Sequence, residues 1–139
     1  MSEQIKGKFD VVMEPAPDYE PMEGGLVLGR LLLRKTFHGE LEAAGTVRML
    51  TAGTAVKGSA GYVAIELVQG KLRGKAGWKS GSFVLQHTGV MNRGRPSLTV
   101  TVVPDSGTGE LAGLSGAMAI DIVDGNHFYT FDFDLGAAP

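Results

Sequence analysis

The segment Gly81–Leu114, GSFVLQHTGVMNRGRPSLTVTVVPDSGTGELAGL, constrains the fold of this chain most. Two stretches within it alternate apolar with polar or small residues, the period-two pattern of half-buried β-strands. The corner Val103-Pro-Asp-Ser-Gly-Thr-Gly109 then leads into a third such stretch. Proline fixes its own φ and glycine opens the positive-φ region. A corner with that much fixed backbone chemistry marks a closed or nearly closed β architecture.

The rest of the chain repeats this grammar, and almost nothing reads as helix. Strands are expected at about Lys6–Glu14, ending in Pro15-Ala-Pro17, then at Gly25–His38, Glu40–Leu50 and Gly61–Val68, the last kinked at Gly70 into Lys71–Lys75. Further strands are expected at Ser82–Met91, Ser97–Val103, Glu110–Val123 and His127–Leu135. Asp18–Gly24 and Thr51–Ser59 read as loops, and Trp78–Gly81 as a turn. Asn92-Arg-Gly94 and Asp124-Gly125 are hairpin signals, because Asn, Asp and Gly tolerate positive φ. Eight strands in an open sheet would leave two edges prone to aggregation, and closure removes them. The fold expected is all-β: a single eight-stranded, mostly antiparallel closed barrel over residues 1–139, with an ordered core at about 6–135. A two-sheet sandwich is the alternative. Glycines inside strands, such as Gly29, Gly45 and Gly116, favour the barrel, where tight curvature needs missing side chains.

Composition excludes several function classes. The chain has no cysteine, so disulfides and thiolate chemistry are out. A net charge of −2 argues against a nucleic-acid partner, which wants a basic face. Met1–Pro15 has no apolar core of a secretory signal, and no apolar run approaches a membrane span. A cytoplasmic location is expected. The motif Ser106-Gly-Thr-Gly109 is not a phosphate loop, since it lacks the GxxxxGK[ST] pattern and no helix follows it. His38, His87 and His127 show no local metal-ligand spacing, so no metal is called for, and no cofactor motif is present.

Two sets of motifs carry a resemblance. Phe83-Val-Leu-Gln-His-Thr-Gly89, Val103-Pro-Asp-Ser-Gly-Thr-Gly-Glu-Leu-Ala-Gly-Leu-Ser-Gly116 and His127-Phe-Tyr129 before Asp132 form the central set. Upstream stand Phe37-His-Gly-Glu-Leu41, Gly61-Tyr-Val-Ala-Ile-Glu66 and Gly70-Lys-Leu-Arg-Gly74. Together they resemble the uncharacterised bacterial family known as domain of unknown function 3224, over about Lys6–Leu135. One departure is Thr101-Val102-Val103, where many members carry tryptophan just before the Val-Pro step. The resemblance implies an allene oxide cyclase-like barrel. Such barrels include cyclases and other enzymes acting on small apolar molecules, as well as proteins with no known activity.

The candidate site residues come from the alternation. Tyr62, Ala64 and Glu66 share one strand face, and Val63, Ile65 and Leu67 the other. The usual exposure of glutamate favours the apolar face inward and Glu66 in solvent. The rival reading turns Tyr62 and Glu66 into a cavity, where a carboxylate serves as general acid or base. Phe83, Leu85 and His87 share a face opposite Val84, Gln86 and Thr88, so a polar residue sits among apolar ones either way. Glu66 and His87 are the catalytic candidates. Tyr62, Gln86 and Tyr129 are the ligand-binding candidates, with Tyr129 in an aromatic stripe that also reads as core. Arg30, Arg34, Glu40, Glu42 and Arg48 read as cross-strand ion pairs on a solvated face.

The expected function is binding of a small apolar or amphipathic molecule inside the barrel, with acid–base isomerase, cyclase or lyase chemistry as its enzymatic form. The alternative is a non-enzymatic barrel mediating assembly or protein contacts. Apolar residues on both faces of Leu31-Leu-Leu33 and Val100-Thr-Val-Val103 point to a homodimer or other small homo-oligomer, because one barrel has only one interior.

Overall fold

A computed structural model describes residues 2–14 and 17–136. Nine strands form one antiparallel sheet: β1 (Glu3–Met13), β2 (Asp18–Pro21), β3 (Val27–Gly39), β4 (Leu41–Gly53), β5 (Ala60–Gly74), β6 (Gly77–Asn92), β7 (Arg95–Val102), β8 (Leu114–Val123) and β9 (Asn126–Leu135). The order is β1-β9-β8-β7-β6-β5-β4-β3-β2, and β1 also pairs with β3 from Gly7↔Gly39 to Met13↔Leu33. That last ladder closes eight strands into a barrel. β2 is the ninth, pairing with the part of β3 that β1 leaves free.

The architecture agrees with expectation, and several boundaries do not. Asp18–Gly24 was expected as loop, yet Asp18–Pro21 pairs with Val27–Arg30. A four-residue edge strand is too short to show a period, and its proline stands at the strand end, where a missing N–H is tolerated. Trp78–Gly81 is strand rather than turn: the hairpin turns at Lys75-Ala76, and Gly74 pairs with Gly77. β5 runs through Gly70 without a break. The expected turn at Pro15-Ala16 lies outside the described residues. Both two-residue hairpins stand as expected, with positive φ at Arg93 and Gly94 and at Asp124 and Gly125.

The interior is filled unevenly. At one end Phe37, Leu41, Leu72, Phe83, Phe131 and Phe133 are buried, and Leu111 joins them from a 3-10 turn at Gly109–Leu111. The corner preceding that turn is laced to β6. Ser106 Oγ accepts the Val84 N–H at 3.0 Å, Thr108 Oγ1 accepts the Ser82 N–H at 3.1 Å, and the Thr108 N–H donates to the Ser82 carbonyl at 2.8 Å. These bonds make the corner a plug for that end of the barrel.

Candidate functional site

β5 decides the site. Its inward residues are Tyr62, Ala64, Glu66 and Val68, while Val63 and Ile65 face outward, 51% and 47% exposed. The apolar face that hydropathy favoured for the core is therefore the outer one, and Glu66 is fully buried. Strand register orders the interior into rows. Tyr62 lies level with Thr51 and Gly89, Ala64 with Met49 and His87, Glu66 with Val47 and Leu85, and Val68 with Gly45.

A three-residue ionic cluster occupies the middle of the barrel. Lys35 Nζ donates to Glu66 Oε1 at 3.0 Å, and His87 Nε2 lies 2.7 Å from the same oxygen. All three residues are buried. Lys35 comes from β3, where the sequence showed only a cation in an alternating run; its ammonium also sits 4.8 Å from the Phe9 ring centroid and 5.7 Å from that of Phe37. Glu66 Oε2 has no hydrogen-bond partner. It lies against Gly45, where a Cβ would overlap it. Glycine at 45 thus lets the carboxylate lie flat on β4. Oε1 thus takes both the Lys35 ammonium and His87 Nε2. The other ring nitrogen, Nδ1, bonds to no described residue.

The other end of the barrel is open. A cup of about 490 Å³ lies there, walled by Val27, Met91, Pro96 and Leu98, with Tyr19 from β2 at its rim and Tyr62 at its base. Its lining is almost wholly apolar, with Val27, Met91, Pro96 and Leu98 supplying the side chains, and Gly53 and Gly89 leave it room. The Tyr62 ring lies over Gly89, where a Cβ would overlap it. Burial raises the Tyr62 pKa, and the nearby Glu66 charge raises it further, so the phenol is held in its donor form.

The remaining candidates separate from this group. Gln86 faces outward from β6 and is exposed. Tyr129 is buried at the barrel's filled end, where its hydroxyl donates to the His38 carbonyl at 2.8 Å and accepts the Leu41 N–H at 2.9 Å. Its hydroxyl is spent tying β9 to the β3–β4 turn, with the Leu41 carbonyl a further 3.3 Å contact. His38 pairs with Asp10 on the surface and His127 packs on Phe9, so the three histidines stay apart. Among the described residues no three His, Cys, Asp or Glu side chains could share a metal ion. The surface charges pair differently from expectation: Arg30 with Asp18, Arg34 with Glu14, and Glu42 with Lys71. Register explains the change, since Arg34 stands opposite Thr46 and Arg30 opposite Leu50.

No curated protein matches the chain. A crystal structure described as a protein with unknown function from the DUF3224 family, from Shewanella oneidensis MR-1, superposes with a TM-score of 0.89 at 53% sequence identity. The match covers 99% of this chain and 100% of that one. The profile of the family described as Protein of unknown function (DUF3224) spans residues 5–133. With the motifs, the closed barrel and these matches in agreement, the chain belongs to the DUF3224 family.

Proposed function

We propose that the protein binds a small apolar molecule in the mouth of its barrel and anchors it through one acceptor oxygen on the ligand to the Tyr62 hydroxyl. The observation that carries this reading is the apolar cup of about 490 Å³ with a single phenol at its base. Small-molecule sites are commonly concave and apolar, with a few polar groups to orient the ligand. The Tyr62 hydroxyl bonds to no described residue, so a ligand acceptor meets no internal competitor. The test uses 8-anilinonaphthalene-1-sulfonate as an apolar probe. Gly53 lines the cup, and a Cβ there meets only the Val27 carbonyl, at 3.8 Å, so Gly53→Leu fills the space with little strain. Saturable fluorescence enhancement is expected for the parent and its loss in Gly53→Leu at an unchanged melting temperature. Equal enhancement in both proteins moves the binding site elsewhere and ends the proposal.

The assembly reading has an observation of its own. Outside the barrel, Leu50, Val63 and Ile65 form an exposed apolar strip along a shallow groove of about 800 Å³, flanked by Arg30 and Arg48. Contiguous exposed apolar surface marks interaction sites. The strip lies on the opposite face of β4 and β5 from the interior cluster, so assembly and ligand binding are compatible.

A further inference from the structure

The cup and the ionic cluster are adjacent, and the cluster has a spare nitrogen. On β6, Gly89 lines the cup and His87 is the next inward residue, a strand rise of roughly 7 Å below it. Leu98 and Val100 repeat that step on β7. Tyr62 lines the cup from β5, its ring over Gly89. Among the described residues, Glu66 Oε2 is the one buried side-chain nitrogen or oxygen both sealed off and unpartnered. His87 Nδ1 is not sealed off in that way, and the cup, whose lining reaches Tyr62 and Gly89, ends one inward position from His87.

Ionic groups inside a barrel are costly. A buried ion pair is often no more stable than well-packed apolar residues of similar volume. Stability alone does not call for three such residues in the middle of this core. What the arrangement does supply is an oriented imidazole: Nε2 is held on Glu66 Oε1, Lys35 Nζ shares that oxygen, and Nδ1 is left without a described partner. A carboxylate that orients a histidine in this way is the general-base device of many active sites.

We propose that this cluster is an acid–base site for enolisable carbonyl compounds seated in the cup, a proposal that rests on the binding reading above. His87 Nδ1 takes a proton from the carbon beside the carbonyl. The C–H pair becomes the C=C bond of an enolate, and the carbonyl π pair moves onto oxygen. Tyr62 O–H donates a hydrogen bond to that oxygen as its charge grows. The imidazolium then returns a proton to carbon, either to the same atom or, in a conjugated ligand, to the far end of the dienolate. The second course is an isomerisation; neither needs an oxidant or co-reactant. His87 is the catalytic residue, and Glu66 is a positioning residue acting through it.

The test is hydrogen–deuterium exchange at the α-carbons of 2-tetralone, cyclohexanone and 2-decanone in D2O, followed by NMR, with binding read separately from the methyl shifts of Met91 and Leu98. Saturable exchange above the buffer rate is expected for at least one ketone. His87→Gln should lower it about 100-fold or more, the usual worth of a positioned acid–base group, while the methyl shifts on binding persist. Glu66→Gln should lower the rate and alter its pH profile, and Glu66→Asp should recover part of both. Should His87→Gln fail to fold, His87→Asn serves as the second variant, with the same loss of exchange and the same persistence of the methyl shifts expected. Ketones that shift the cup methyls but exchange at the buffer rate overturn the acid–base site and leave the binding reading standing. If none of the three shifts those methyls at millimolar concentration, both readings fall. Exchange that survives His87→Gln at the parent rate removes His87 from the chemistry.

Discussion

Glu66 depends on its partners, and they depend on it. Removing one member of a buried pair leaves an uncompensated charge, at a cost of about 3–5 kcal/mol. Glu66→Leu alone should therefore destabilise the protein by that amount, with the Lys35 ammonium stranded against Phe9. The double variant Lys35→Met with Glu66→Leu removes both charges and should recover most or all of the loss. Urea unfolding of the three proteins checks this; a single variant as stable as the parent would mean that the cluster carries no paired charge. Tyr129 is a different kind of residue. Burial raises its pKa, the Leu41 N–H bond opposes the shift, and the Glu40 charge adds to it. A raised folded-state pKa means that the folded protein holds this proton more tightly than the unfolded chain. The stabilisation is complete below the ordinary phenol value of 10.0 and is lost as pH rises through the higher folded value. Tyr129→Phe should cost about 1–3 kcal/mol at neutral pH by leaving the Leu41 N–H and His38 carbonyl short of a partner. It should also flatten the loss of stability above pH 10, as measured by denaturation at stepped alkaline pH. An alkaline limb identical in both proteins contradicts the assignment.

Among the elements, the Val103–Gly109 corner is the one whose sequence and structure agree most closely. The hydroxyls of Ser106 and Thr108 serve β6 backbone groups. At Gly107 a side chain would run into the Leu111 carbonyl, and Gly109 has φ +60°. Gly107→Val, by overpacking, and Gly109→Val, by backbone strain, should each lower stability by about 1–3 kcal/mol. Thermal melts test this directly. Unchanged melting with selective loss of probe binding would instead assign the corner to the ligand. The hairpin at Asp124-Gly125 was equally legible, because the positive φ of both turn positions is written in the residue types. β2 was not legible: its four residues gain strand geometry only from the edge of β3. Nor was the start of β6, where Trp78–Gly81 is held in the ladder by Gly70–Arg73 of β5.

For the molecule as a whole, the outward strip Leu50, Val63 and Ile65 sets the expectation for assembly. A two-fold dimer is the simplest way to cover it, being the commonest symmetric oligomer. Light scattering at tens of micromolar should give a dimer, and Val63→Lys with Ile65→Lys should give a monomer of unchanged circular dichroism. A monomeric parent refutes this. The same strip shows where reading from sequence stopped. Alternation alone determined that Tyr62, Ala64 and Glu66 share a face opposite Val63 and Ile65, and turn chemistry determined where most hairpins fall. Both are local properties, set by a period of two and by the allowed φ of a few residues. Which face of β5 turned inward was not local, since a period of two is blind to inside and outside. It was decided when β1 met β3 and closed the barrel around one face, the face on which the β3–β4–β5–β6 ladders set Lys35, 31 residues away, and His87, 21 away, onto one oxygen of Glu66. A carboxylate reads as surface until a cation and a histidine from other strands are there to hold it, and only closure of the sheet put them there.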